Sequence, residues 1–205
     1  MAFYLQSIAA GMVIGLGGYV YLATESMYLG AVLFSFGLSM VCEYGLPLYT
    51  GRSGNLCRPG GNTLLELLWM LLFNVLGAAL IGLLYHPAPN AQDVLGMVSS
   101  KLSLSLWTQI SRGLLCGAVM HLAVEIYKRS TQPFGRYLGI LLGVPLFIIA
   151  RFEHSIADAF YFAAALTQGA PLSLDMLVFL LVVALCNLLG AVAIAALLPP
   201  RPASS

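Results

Sequence analysis

Runs of about twenty apolar residues recur along almost the whole chain, and one such run is what a bilayer demands of each helical crossing. A helix satisfies its own backbone hydrogen bonds, which is the condition for placing peptide groups where there is no water. The runs cover residues 3–22, 27–42, 63–85, 105–127, a stretch beginning near 134, and 172–198. Six spans with short loops occupy nearly all of the 205 residues, leaving no room for a separate soluble domain. Composition agrees: 60% of the residues are hydrophobic and 8% charged, where soluble domains carry roughly a quarter charged. The expectation is an all-α integral membrane protein with a single transmembrane domain over residues 1–205. A net charge of +1 supplies no field for nucleic acid. Cys42, Cys57, Cys116 and Cys186 are scattered, with no CxxC pair; three fall within apolar runs, where a free cysteine behaves as a small hydrophobe, and neither metal ligation nor a disulfide is expected. The first run lacks a basic flank and a small-residue cleavage site, so it reads as a retained helix.

Loop charge predicts the orientation. Arg52, Arg58, Lys128, Arg129, Arg136 and Arg201 fall on one side and Lys101 on the other, which places both termini in the cytoplasm. The halves also resemble each other. FNVLGA at 73–78 matches CNLLGA at 186–191, and Gly11 and Tyr21 mirror Gly117 and Tyr127. Two repeats, at about 1–86 and 104–199, each hold three spans, an odd number that requires the copies to be inverted. In both, the middle span is interrupted: by GLPLYTG around Pro47, and by the polar residues from Arg151 to His154.

Non-helical backbone at membrane depth survives only where protein buries it or where it lines a watery cavity, so the two breaks predict a solute path. Arg151, Glu153, His154 and Asp158 lie within eight residues of an otherwise apolar span. Each charge there costs about 2.5 kcal/mol or more on insertion scales. His154 is the prime functional candidate, because an imidazole can give a hydrogen bond or a proton to an anion and recover. Thr50, at the first break, offers it a hydroxyl. Asn74 and Asn187 hold equivalent places and either satisfy carbonyls freed by the breaks or line the path. The spacing lets Arg151 pair with Asp158, while Glu153 is expected to bond freed backbone amides. Lys101 is expected to face outward, where it could focus anions. His121 is a weaker candidate for the path and His86 a loop residue.

At these residues the chain resembles the formate/nitrite transporter family. FEHSIAD (152–158) is similar to that family's FEHSIAN signature, AAGMVIG (9–15) to its AGxxIxxG element, and LPLYTG (46–51) to its LFTG-type loop. GLLCGAVM (113–120) and NLLGA (187–191) resemble its fourth- and sixth-helix motifs, so the match is collinear across nearly the whole chain. The resemblance implies a homopentamer of aquaporin-like bundles in lipid, with one pore per protomer. It makes His154 the central pore histidine, with Thr50 and Asn187 in its hydrogen-bond network and Lys101 the vestibule lysine. Phe34, Leu38, Leu48, Tyr49, Met120 and Phe147 fall at its hydrophobic constrictions. Three positions depart from the family pattern: Gly117 replaces asparagine, Asp158 replaces asparagine, and Arg151 replaces a small residue.

The functional expectation is a channel or transporter for a small monovalent weak-acid anion, formate first, in a prokaryotic inner membrane. Lys101 attracts the anion, and desolvation at the constriction favours its protonated form near His154. Nitrite and hydrosulfide obey the same physics, and a pore for water is the alternative. No HExxH, paired metal-histidine spacing or GxSxG occurs, so neither catalytic residues nor a cofactor is expected.

Overall fold

The computed structural model describes residues 1–199, and among them every regular element is helical. The first three helices are α1 (Ala2–Ala23), α2 (Met27–Glu43) and the single turn α3 (Tyr49–Arg52), which runs into a 3-10 turn (Ser53–Cys57). Then follow α4 (Leu64–Leu83), α5 (Val94–Leu102), α6 (Leu106–Arg129), α7 (Pro133–Ile149), α8 (Ser155–Thr167) and α9 (Leu174–Leu197). Arg201 and the polar tail counted in the orientation argument lie outside the described residues.

Polar residues just ahead of the apolar runs start these helices. Ser26, Thr63, Asp93, Ser105 and Ser173 each accept a hydrogen bond from an N–H of the first turn. Thr63 and Glu66 do so reciprocally, as a capping box. Helices α1, α4, α6 and α9 are long and apolar enough to cross a membrane, whereas α2, α7 and α8 are shorter apolar helices. Helix α5 lies in the stretch read from sequence as a loop.

Outward faces carry leucine. Leu68, Leu72, Leu76 and Leu80 of α4 and Leu177, Leu181, Leu185 and Leu189 of α9 are all exposed. An apolar surface this continuous suits lipid rather than water. The interior is organised around α8, in which every residue from Ser155 to Ala165 is buried. A helix buried on all faces belongs to a core. Around it α1 packs along α4 and α6 along α9. Both crossings close on glycine: a Cβ on Gly11 would overlap the Asn74 carbonyl, and one on Gly117 the Asn187 carbonyl. Close backbone approach through small residues is how apolar helices pack when no hydrophobic drive separates protein from lipid. Gly117, a departure from the family pattern, therefore has a packing reason here.

The two interruptions share one construction. After α2, Gly45 adopts φ 63°, Gly45 N–H donates to Cys42 O (3.3 Å) and Leu46 N–H donates to Val41 O (2.9 Å). After α7, Arg151 adopts φ 55°, Arg151 N–H donates to Ile148 O (3.0 Å) and Phe152 N–H donates to Phe147 O (2.8 Å). This is the left-handed helix stop that glycine normally occupies. Glycine takes it freely at the first break, whereas a residue bearing a Cβ is strained there by about 1–2 kcal/mol. Extended residues follow, and then a helix restarts as α3 or α8.

Candidate functional site

One asparagine closes each break. Asn74 Oδ1 accepts from Tyr49 N–H (2.7 Å), and its Nδ2 donates to Pro47 O (2.9 Å) and Ser7 O (2.7 Å). Asn187 Oδ1 accepts from Ser155 N–H (3.0 Å), and its Nδ2 donates to Glu153 O (2.9 Å) and Gly113 O (2.8 Å). Of the two roles the sequence left open, the geometry realises the satisfaction of freed backbone groups. Both amides are fully buried and committed to main chain.

So held, the breaks bring Thr50 and His154 together, with Thr50 Oγ1 2.9 Å from His154 Nε2. His154 also caps α8, because its Nδ1 accepts from Ala157 N–H (3.1 Å). A ring nitrogen that accepts from a backbone N–H carries no proton of its own. The neutral ring therefore bears its proton on Nε2 and donates it to Thr50.

The surroundings of this pair are apolar. Phe147 stacks on the imidazole with ring centroids 5.5 Å apart, and Phe34 meets Phe147 edge-on at 5.9 Å. Leu38, Leu48, Tyr49 and Met120 are buried as well. The Tyr49 hydroxyl donates to Ala184 O (2.9 Å) and so needs no water. Met120 lies midway along α6 between Arg112 and Lys128. At the Arg112 end a cavity of about 420 Å³ reaches down to Phe147 and His154. At the Lys128 end a smaller one, about 40 Å³, is lined by Leu46, Leu48 and Arg52.

Charges crowd the larger cavity. Lys101, projecting from α5, places Nζ 2.9 Å from Asp158 Oδ1 and also pairs with Glu153 Oε2. It lies over the Tyr161 ring, 5.6 Å from the centroid. Burial works against the Lys101 ammonium, but the Asp158 and Glu153 carboxylates outweigh it and hold the amine above the usual lysine range. Arg112 Nη1 stands 3.6 Å from Glu153 Oε1.

Three sequence expectations change. Asp158 pairs with Lys101 rather than Arg151, because the extended residues of the break destroy the two-turn spacing that would align 151 with 158. Glu153 uses its carboxylate on cations, and it is its carbonyl that the break engages through Asn187. Lys101 is not a free outer lysine but a largely covered one, its side chain 15% exposed. Arg112 joins this cluster as a further cation, and its signal in the sequence is a lone arginine inside an apolar run. His121 packs beneath Gly54 of the 3-10 turn, and His86 is exposed.

Comparison with known proteins agrees with this architecture. The formate/nitrite transporter family profile matches residues 1–199. An uncharacterized transporter of Bacillus subtilis (strain 168), YrhG, is 23% identical over 159 residues, which are 71% of this chain. The chain spans 60% of the length of that relative. A solved structure described as an FNT family ion channel superposes with a TM-score of 0.85 at 22% identity, covering 96% of this chain and 88% of its own. Another, described as a pentameric formate channel with formate bound, gives 0.78 at 20% identity, covering 96% and 94%. A profile matched from residue 1 to residue 199, on an all-helical fold shared with channels rather than enzymes, means that the chain belongs to the formate/nitrite transporter family.

Proposed function

We propose that this protein conducts small monovalent weak-acid anions across the membrane, with formate the first candidate and nitrite and hydrosulfide chemically equivalent ones. The observation that carries the reading is the Thr50–His154 contact, one polar pair set among buried apolar side chains below a charged cavity. A bare anion is expensive in such a ring of phenylalanine and leucine, and its neutral acid is not. His154 offers its Nε2 proton to the anion as a hydrogen bond in place of Thr50. A neutral imidazole is far too weak an acid to protonate a carboxylate, so the proton that makes the solute the neutral acid enters with it from the aqueous side. Its passage with the anion would couple transport to protons while His154 holds the solute by the Nε2 hydrogen bond. Lys101, with its counter-charges, and the constriction residues Phe34, Leu38, Leu48, Tyr49, Met120 and Phe147 form the approach and the barrier.

The same reading supplies the architecture. Four continuous helices and two broken ones, α2 with α3 and α7 with α8, make six spans in two inverted repeats, with both termini in the cytoplasm of a prokaryotic cell. The solved relative described as pentameric supports five such protomers, each with its own path.

Stopped-flow uptake into proteoliposomes tests the reading, with formate, nitrite and hydrosulfide compared and water permeability as the control. Saturable uptake of one anion, reduced at least about tenfold in His154→Ala, is the expected result, since a hydrogen bond to a charged group contributes about 1.5–3 kcal/mol. Water flux with no anion flux would replace the anion path by a neutral-solute pore.

A further inference from the structure

We propose that Arg151, rather than Lys101, is the charge that draws anions into the cavity above His154. This inference rests on the anion-path reading and concerns which residue recruits the solute.

The charges lining that cavity can be matched one against another. Lys101 is held by Asp158 and Glu153 together, and Arg112 by the other oxygen of Glu153. Asp93 caps α5, its Oδ1 accepting from Gly96 N–H at 3.0 Å. Lys101 and Arg112 therefore face the three carboxylates Asp93, Glu153 and Asp158, and without Arg151 the wall would be net negative and would repel an anion. Arg151 lines the same cavity, is exposed, and among the described residues makes no ion pair or side-chain hydrogen bond. An uncommitted guanidinium at a cavity mouth raises the local concentration of anions by field focusing.

The backbone points the same way independently. Arg151 stands at the helix-stop position whose counterpart in the other half is Gly45, with φ 55° against 63°. The stop would form more cheaply with glycine in both places. A side chain held in a left-handed conformation next to a candidate site is grounds for assigning it a function.

The position also provides its own control, since Arg151→Gly removes the charge and relieves the backbone. Initial rates of formate uptake would be measured across formate concentrations at low and high ionic strength. The proteins compared are the unmodified chain, Arg151→Gly, Arg151→Lys and the double variant Arg151→Gly/Asp158→Asn. For Arg151→Gly we expect a melting temperature equal to or above that of the unmodified chain. We also expect half-saturation at about three- to tenfold higher formate at low ionic strength, the low end of steering effects. The difference should shrink as salt screens the charge. Arg151→Lys should stay close to the unmodified chain. The double variant, which restores the net charge, should recover most of the loss.

Unchanged half-saturation in Arg151→Gly overturns the inference while leaving the anion path intact. So does an Arg151→Lys as defective as the glycine variant, or a double variant that recovers nothing. If the unmodified chain takes up none of the three anions, the anion path itself fails and the inference goes with it.

Discussion

At the scale of single residues, the two asparagines do more for the architecture than any charged group. Each amide supplies one acceptor and one donor to the backbone of a break and a second donor to a carbonyl of the helix packed beside it, Ser7 O of α1 or Gly113 O of α6. Removing such a partner leaves buried groups unsatisfied at about 1–3 kcal/mol each. Asn187→Ala should therefore lower the melting temperature in detergent markedly, and Asn74→Ala should do the same. Asn187→Asp should be intermediate, because a carboxylate still accepts from Ser155 N–H but can no longer donate to the Glu153 and Gly113 carbonyls. Equal melting temperatures for the alanine variants and the unmodified chain would show that the breaks are held by something else. His154 works by the same logic: capping α8 through Nδ1 dictates that Nε2 faces Thr50 as a donor.

At the scale of helices, the decisive features are close crossings and helix stops. Gly117 lets α6 lie against the Asn187 carbonyl, and Gly11 lets α1 lie against the Asn74 carbonyl. Because the obstruction is backbone, a methyl there cannot be absorbed by a rotamer change. Gly117→Ala and Gly11→Ala should each destabilise by about 1–3 kcal/mol, the usual cost of overpacking. They should also reduce uptake, since each crossing positions the asparagine that holds a break. Thermal melts in one detergent check the first effect and liposome uptake the second. The helix stops make an opposite pair: Gly45→Ala should cost stability through its φ of 63°, whereas Arg151→Gly should not. Comparing their melting temperatures checks this asymmetry directly.

At the scale of the whole molecule, the leucine-covered faces of α4 and α9 cannot face water, and lipid or a second protomer must cover them. Five copies per particle is the expectation, and native mass spectrometry from detergent should record a five-fold multiple of the 21.9 kDa chain. A monomer under conditions that preserve uptake would remove the pentamer from the account. The cluster of Lys101, Glu153, Asp158 and Arg112 also belongs to this scale, because it ties α5, α6 and the second break into one wall. Lys101→Met would leave two buried carboxylates without their principal cation, and such a break in a buried pair costs about 3–5 kcal/mol. That variant should fail mainly in stability, which a melting curve separates from a loss of transport in intact protein.

Much of this was readable in the chain itself. Apolar runs of bilayer length follow from composition and order alone, so the all-helical class, the four long apolar helices and both interruptions could be placed without coordinates. FNVLGA and CNLLGA marked the asparagines as equivalent, because the same local task at the two breaks calls for the same local sequence. The partners of the charges were not readable. Lys101 meets Glu153 and Asp158 across half a hundred residues, and nothing in local spacing encodes which carboxylate a lysine reaches once a helix breaks between them. Nor did composition reveal that Lys101 is covered while Arg151, among the described residues, makes no ion pair. Only the tertiary structure decides that, because burial and pairing are properties of the surfaces that helices present to one another.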